Sequence, residues 1–267
     1  MNFISTRGGE KVTGARAIVQ GLSAGGGLFV PETFPPVTRE ELEEMLPMSY
    51  PERAAKVLSK YLDDYDGAGL LSALDKAYSK FEGDPAPLVK IDDGIYILEL
   101  WHGPTCAFKD MALTVLPYLL RKGCDICGIK EQILVLVATS GDTGKAALEG
   151  FKDAEGIKIM VFYPDDGVSK MQKLQMCTQE GKNVNVVAVK GNFDDCQTAV
   201  KEIFANEEYV KILKDKNVIL SSANSINFGR LAPQIAYYFS SYLDLVSGGQ
   251  IEMGQEIDFS VPTGNFG

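Results

Sequence analysis

The chain has 267 residues and a formal net charge of −10, from 26 Lys and Arg against 36 Asp and Glu. Hydrophobic residues make up 45% and charged residues 23%, which is typical of a globular protein and excludes a disordered or collagen-like one. The acidic excess and the lack of a basic stripe argue against nucleic-acid binding. No apolar run is long enough for a membrane span, and the start has no apolar signal segment, so we expect a cytoplasmic protein.

The five cysteines and the one histidine limit the chemistry available. An odd number of cysteines in a chain without an export signal predicts free thiols. Cys124 and Cys127 form a C-x-x-C pair, but no second pair follows and His102 lies too far back to complete a zinc finger. We therefore expect no metal. With a single histidine, a Ser-His-Asp hydrolase is disfavoured, and another group has to act as the base.

The first 83 residues predict a mainly helical N-terminal domain. Gly-rich and Pro-rich loops precede three segments with apolar residues at helical spacing, near 38–46, 51–62 and 70–81. Thr38 and Glu41 have the spacing of a capping box, which predicts the first helix start. The Gly- and Pro-rich run at 83–87 predicts a domain boundary.

Residues 84–267 predict an α/β region, because apolar strands alternate with helical segments. The run at 92–94 predicts a hairpin turn, and continuously apolar strands predict a parallel sheet covered by helices on both faces. A small α/β subdomain is expected at about 121–210. The predicted strands are 88–91, 95–100, 133–138, 157–163, 184–189, 218–221 and 257–262, and the predicted helices are 110–121, 144–152, 170–177, 193–206 and 227–245, the last interrupted at Pro233.

The last predicted strand leads into a Gly-rich loop at 263–267, and no helix follows it. We therefore expect an incomplete α/β region that lacks its C-terminal part. In α/β sheets, ligands bind at the loops after the carboxyl ends of strands.

Lys109 lies in the first of three loops that carry chemistry, where a helix begins. The positive end of the helix dipole is a poor place for an ammonium group and favours the neutral amine that Schiff-base chemistry needs. The alternative is a lysine that extends to solvent.

The other two loops, 138–144 and 263–267, are rich in glycine and hydroxyl residues. Their N–H groups can hold a carboxylate or a phosphate, although the first loop can equally be a capped helix start. Neither loop contains the lysine of a P-loop, and no G-x-G-x-x-G opens a helix, so ATP and NAD are disfavoured.

These loops resemble one family. GPTCAFKD at 103–110 closely resembles the cofactor-lysine motif of threonine synthases, which are fold type II pyridoxal-phosphate enzymes. SGDTG at 140–144 resembles their substrate loop and GNFG at 264–267 their cofactor-phosphate loop. Motifs in the first 32 residues and the stretch 224–230 match as well, so the resemblance covers the whole chain in order.

The resemblance implies a reaction and a set of roles. O-phospho-L-homoserine and water would give L-threonine and phosphate by γ-elimination and β-addition of water. Lys109 would hold pyridoxal 5'-phosphate covalently and act as the base. The cofactor phosphate would be bound by Gly264, Asn265, Phe266 and Gly267. The substrate would be bound by Thr105, Ser140, Gly141, Asp142, Thr143, Gly144, Asn224, Ser225, Asn227 and Arg230.

Several alternatives stay open at this stage. The stretch 224–230 can instead cap the long helix, and the chain can be a catalytically silent fragment. Another fold type II lyase, such as a serine or threonine dehydratase, is disfavoured by the N-terminal helices and by Asp142. We expect His102 and Cys106 to orient the lysine loop, and Trp101 and Phe108 to lie in the core. The oligomeric state is open.

Overall fold

The computed structural model describes residues 1–262. The chain begins with a three-stranded antiparallel sheet, in the order β2-β1-β3, and with helices packed beside it. Its elements are β1 (Asn2–Ser5), β2 (Lys11–Thr13), α1 (Gly14–Gln20), β3 (Phe29–Pro31), α2 (Arg39–Met45), α3 (Tyr50–Ser59) and α4 (Gly67–Tyr78).

The three predicted N-terminal helices are confirmed as α2, α3 and α4. At α2 the predicted capping box is present, with the Thr38 side chain accepting from the Glu41 N–H and the Glu41 carboxylate accepting from the Thr38 N–H. The sheet and α1 have no counterpart in the sequence-based prediction. Strands of three or four residues are too short to show an alternating pattern, and their pairing joins segments distant in sequence.

The predicted hairpin is confirmed as β4 (Leu88–Asp92) and β5 (Ile95–Leu98), an antiparallel pair. Gly94 has a φ of +70° in the turn, a conformation that favours glycine.

A four-stranded sheet in the order β8-β7-β6-β9 forms the centre of the remaining chain, and all its pairings are parallel. The predicted parallel sheet with flanking helices is therefore confirmed. The elements are α5 (Asp110–Leu113), α6 (Leu116–Cys127), β6 (Gln132–Ala138), α7 (Asp142–Phe151), β7 (Ile157–Pro164), α8 (Lys170–Cys177), β8 (Val184–Val189), α9 (Phe193–Ala205), α10 (Glu207–Asp215), β9 (Val218–Ser222) and α11 (Phe228–Ser247).

The helix predicted over 110–121 is in fact two helices, α5 and α6. Pro117 has no N–H to donate to the Leu113 carbonyl, so the helical hydrogen bonding is interrupted between them. Helix α7 packs closely against this break, because a Cβ placed on Gly150 would lie 2.2 Å from the Leu113 oxygen.

Three further differences from the prediction have local causes. Helix α10 follows α9 directly, because Asn206 ends α9 and its side chain caps α10, so no loop separates them. Helix α11 is continuous through Pro233, which lies near its start. The strand predicted at 257–262 is wrong, since these residues pair with no strand within residues 1–262.

Buried Arg53 joins the N-terminal helices to α11. Its guanidinium donates to the carbonyls of Met45 and Leu46, to the hydroxyl of Ser240 and to the carboxylate of Asp244. One continuous core contains residues from both the N-terminal helices and the parallel sheet. Among residues 1–262, no helix has the length and apolar character needed to cross a bilayer.

Candidate active site

Three helices start at the carboxyl edge of the parallel sheet and bring the predicted site residues together. Helix α5 contacts both α7 and α11. Lys109 directly precedes α5, Asp142 is the first residue of α7, and Arg230 lies in the first turn of α11. The structure therefore brings residues from three separate parts of the chain to the edge where α/β proteins bind ligands.

Lys109 points into this site. Its side chain is only 11% exposed, and Nζ lies 3.0 Å from each carboxylate oxygen of Asp142. The same Nζ lies 4.5 Å from the centre of the Phe108 ring, within range of a cation–π contact. The alternative of a lysine extending to solvent is therefore wrong. Asp142 thus supplies a negative partner for Nζ beside the positive end of a helix.

The loop before Lys109 is held by Asp110. Its carboxylate accepts from the N–H and from the hydroxyl of Thr105, at 2.7 Å each. A Cβ placed on Gly103 would lie 2.5 Å from the Asp110 Cβ, so the turn closes only with glycine there. Burial raises the pKa of Asp110, and the Thr105 hydrogen bonds oppose that rise. Thr105, predicted as a substrate contact, is thus engaged within the loop.

The loop at the start of α7 fills both roles expected of it: it caps the helix, and it leaves N–H groups free to bind an anion. The Thr139 hydroxyl accepts from the N–H groups of Gly141 and Gly144, at 3.1 and 3.0 Å. The N–H groups of Asp142 and Thr143 make no hydrogen bond within residues 1–262, so two donors at a helix N-terminus stay open to an anion. The sequence alone assigns no role to Thr139, although a hydroxyl residue shortly before a predicted helix indicates a possible helix cap.

The side chain of Asn227, predicted as a substrate contact with helix capping as the alternative, is engaged inside the protein. It is fully buried, donates to the carbonyls of Ile18 and Ser222 at 2.9 Å each, and accepts from the Gly229 N–H. The bond from Gly229 caps α11, and the other two attach its start to α1 and to the end of β9. These contacts agree with the capping alternative for Asn227.

Asn224 and two serines border the same edge. The Asn224 amide donates to the Ala138 carbonyl at 3.1 Å, which joins the loop after β9 to the end of β6. The side chains of Ser140 and Ser225 are exposed. These three residues stay candidates for substrate contact.

Arg230 is a buried cation with open hydrogen-bond donors. It is only 3% exposed, and within residues 1–262 its Nε and Nη1 have no hydrogen-bond partner. Burial lowers the pKa of Arg230 to about 10, although Tyr237 and the carboxylates of Asp142 and Asp110 oppose this shift. An unpaired buried charge is costly unless a ligand compensates it. A phosphate fits this requirement, because guanidinium groups bind phosphate with two parallel hydrogen bonds.

The aromatic residues beside the lysine loop are only partly as expected. Trp101 is 50% exposed and stacks on His102, so its predicted core position is wrong. His102 lies 2.8 Å from a Glu99 carboxylate oxygen, which agrees with a role in orienting the loop. Phe108 is half-buried, with its ring under Nζ of Lys109.

The residues present fit pyridoxal 5'-phosphate. Such a group needs an amine protected from solvent and donors for its negative charges, and the site offers Lys109 and the open N–H groups of α7. The predicted cofactor-phosphate loop, Gly264, Asn265, Phe266 and Gly267, lies outside the described residues. All five cysteines are free, and within residues 1–262 no three His, Cys, Asp or Glu side chains cluster as a metal site.

Two family models together match almost the whole chain. Residues 2–78 match the model described as threonine synthase N terminus, and residues 81–267 match that of pyridoxal-phosphate dependent enzymes. Among curated relatives, a threonine synthase of Pseudomonas aeruginosa is 38% identical over 270 residues, and human threonine synthase-like 1 is 40% identical over 268. These matches cover 100% and 95% of this chain but only 55% and 35% of the relatives.

A solved structure gives the same result. The pyridoxal-phosphate-bound threonine synthase of Brucella melitensis superposes with a TM-score of 0.82 and 37% sequence identity. The match covers 92% of this chain and 52% of that one. The chain thus spans about half the length of that enzyme, with the fold type II arrangement of helices around a parallel sheet.

Proposed function

Because the chain belongs to the family of pyridoxal-phosphate-dependent enzymes, we propose that it acts as a threonine synthase, a carbon–oxygen lyase acting on a phosphate ester. The reaction is the conversion of O-phospho-L-homoserine and water to L-threonine and phosphate. The bond from the γ-carbon to the phosphate oxygen breaks and phosphate leaves. One hydrogen of the β-carbon is replaced by the hydroxyl group of water, and the γ-carbon gains a proton to become a methyl group. The N-terminal match and the Pseudomonas relative support this choice within the family. The cytoplasmic location expected from the sequence stays a prediction.

Pyridoxal phosphate, when bound, supplies an electron sink for the carbanions that this reaction requires. Lys109 is the residue to hold it, through Nζ, and the same amine moves protons at the substrate carbons next to the amino group. Asp142 orients Nζ toward the carboxyl edge of the sheet, at 3.0 Å from both of its oxygens. The open N–H groups at the start of α7 suit the substrate carboxylate.

The observation that carries the proposal is the unpartnered guanidinium of Arg230. Within residues 1–262 two of its nitrogen atoms lack acceptors, and the side chain is almost fully buried near the Lys109–Asp142 pair. A substrate phosphate suits this buried charge, because it accepts charge-assisted hydrogen bonds worth ~1.5–3 kcal/mol each.

The test measures phosphate release from O-phospho-L-homoserine with the Arg230→Met and Arg230→Lys variants. We expect Arg230→Met to lower kcat/KM about 100-fold, which corresponds to roughly 2.7 kcal/mol, while cofactor absorbance stays normal. Arg230→Lys keeps the positive charge but cannot form two parallel hydrogen bonds to a phosphate. We therefore expect its kcat/KM to lie between those of the original chain and Arg230→Met. Arg121→Met, on the exposed face of α6, is the matched control.

The dehydratase alternative is distinguished with the same proteins. A dehydratase releases a keto acid from L-threonine or L-serine, and Arg230→Met is not expected to impair that activity. Keto-acid production without phosphate release from O-phospho-L-homoserine would replace the proposed function. Normal phosphate release by Arg230→Met would return Arg230 to a structural role.

A further inference from the structure

A cavity of about 810 Å³ lies between the start of the chain and helices α9 and α10. One wall is the Gly-rich loop at 22–28, and the other wall and the floor come from α9, α10 and β9. Cavities of roughly 300–1,000 Å³ are typical of small-molecule sites. Lys109, Asp142 and Arg230 are not among its lining residues, so it is separate from the site described above.

The lining combines apolar side chains with positive charge. Leu28 and Val210 are 37% and 40% exposed, so large apolar groups are left open to this space. Arg7, Lys201 and Lys214 lie around it. None of the 19 lining residues is Asp or Glu, although the chain as a whole has 36 acidic and 26 basic residues. The cavity is therefore positive in a protein that is negative overall.

The glycine-rich wall is firmly built. The Ser23 hydroxyl accepts from the Gly27 N–H at 2.9 Å and lies 2.9 Å from the hydroxyl of Ser5. A Cβ placed on Gly27 would lie 2.3 Å from that Ser5 oxygen, and Gly26 has a φ of +74°. These contacts require glycine and fix the loop in shape. The wall is thus formed before any ligand binds, which lowers the cost of binding.

We propose that this cavity binds a small amphipathic anion, with an apolar ring or chain and one carboxylate, phosphate or sulfonate group. The apolar part lies against α9, α10 and β9, and the anionic part faces Lys201, Lys214 and Arg7. Apolar contact supplies most of the affinity, since each exposed cation contributes modestly. The site does not depend on the proposed activity.

Ile226 connects this cavity to the candidate active site. It lines the cavity and lies between Asn224, which is bonded to the end of β6, and Asn227, which caps α11. A ligand in the cavity therefore contacts the segment that leads to Arg230. This makes the cavity a suitable place for an effector.

The test is a fluorescence titration of the 267-residue chain with 8-anilinonaphthalene-1-sulfonate, an amphipathic anion. We expect one saturable site per chain. The double variant Lys201→Gln/Lys214→Gln is expected to raise the dissociation constant about tenfold, because the loss of each exposed charge weakens binding by a few-fold. Lys211→Gln, on α10 but outside the lining, is the matched control and leaves the dissociation constant unchanged.

A second variant and a second probe separate the two parts of the proposal. Ala205→Trp fills the cavity from an exposed position and is expected to abolish binding of the anion, while circular dichroism shows that the fold is kept. The neutral probe N-phenyl-1-naphthylamine should bind the lysine double variant as well as the original chain. Equal weakening by Lys211→Gln, loss of binding in Arg230→Met, or unchanged binding in Ala205→Trp would each overturn the proposal.

Discussion

Nζ of Lys109 lies 3.0 Å from both carboxylate oxygens of Asp142, so the starts of α5 and α7 meet through one ion pair. The side chain of Lys109 is 11% exposed and that of Asp142 is 53% exposed, so the ion pair is buried on the lysine side and exposed to solvent on the aspartate side. A ligand that enters from the open side reaches the amine only next to Asp142. The pair therefore sets the direction of approach to Lys109.

The first prediction concerns the site of cofactor attachment. Reduction with borohydride in the presence of pyridoxal phosphate, followed by peptide mapping, is expected to place the label on Lys109. Its amine is directed into the site, whereas Lys145 is paired with Glu149 on α7 and Lys170 is exposed at the start of α8. A label found mainly on Lys145 or Lys170 would contradict the assignment.

The second prediction concerns Asp142. The ion pair has to break before Nζ can attack a carbonyl carbon, so Asp142→Asn is expected to speed cofactor attachment about fivefold, consistent with a partly exposed pair. The measurement is the rate of the absorbance change after mixing with pyridoxal phosphate. Asp125→Asn breaks a surface pair with Arg121 and serves as the control. A slower rate in Asp142→Asn would show that the carboxylate assists attachment instead.

The third prediction is that Arg230→Met stabilises the ligand-free protein. An unpaired buried charge opposes folding, so its removal is expected to raise the free energy of unfolding by about 1–3 kcal/mol. In return, added phosphate should stabilise the original chain and leave the variant unaffected. Thermal unfolding with and without phosphate measures both effects, and a destabilised variant would indicate that Arg230 is compensated in the free protein.

The same residue gives a pH dependence with a definite sign. Burial lowers the pKa of Arg230 from its ordinary value to about 10, so above about pH 10 the unfolded chain binds more protons than the folded chain. The contribution of Arg230 to the free energy of unfolding therefore rises with pH above about 10, and its cost is fully present at lower pH. Arg230→Met should lack this contribution when unfolding is compared across that range.

Arg230 and Asn227 show how much of the candidate site can be predicted from the sequence. Both lie in one motif, and the family resemblance implies a substrate role for both, with capping of the long helix as the alternative. A motif identifies residue types in order, but the direction of each side chain depends on packing against α1, a helix with no sequence-based prediction. The hydrogen bond from Asn227 to Ile18 joins residues far apart in the chain, so no local pattern reveals it.

The sequence pattern was sufficient for the parallel sheet, where β6, β7 and β8 are mainly apolar segments of strand length. It failed where a partner decides the structure. Residues 257–262 have a strand-like sequence, yet a strand exists only through pairing, and within residues 1–262 none is formed there. The ion pair between Lys109 and Asp142 could not be predicted from the sequence either, because its geometry depends on how α5 packs on α7.

The fourth prediction separates charge from hydrogen bonding at Asp110. The amide of Asp110→Asn can still form hydrogen bonds with the N–H and the hydroxyl of Thr105. The substitution also removes a carboxylate whose pKa is raised by burial. We therefore expect this variant to fold with little loss of stability. Asp110→Ala loses both bonds and should cost about 2 kcal/mol. Chemical denaturation measures the difference. Equal stability of the two variants would mean that the Thr105 bonds do not hold the loop.

The fifth prediction concerns thiol reactivity. Cys106 and Cys177 are exposed, whereas burial raises the pKa of Cys124 to about 11 and also raises the pKa values of Cys127 and Cys196. Thiolate is the reactive form, so a disulfide reagent at pH 8 is expected to modify two thiols quickly and the others slowly or after unfolding. Rapid reaction of Cys124 would contradict the packing of α6.

The contact between Gly150 and Leu113 has a consequence for movement. With no room for a methyl group between the helices, α5 and α7 are expected to travel as a single rigid body, carrying Lys109 and Asp142 together. Any movement of the surrounding elements then takes place outside this body, which keeps the distance between Nζ of Lys109 and the Asp142 carboxylate while it moves. A Gly150→Ala substitution would act as a wedge, parting the ion pair from the far end of α7 without touching either charged residue.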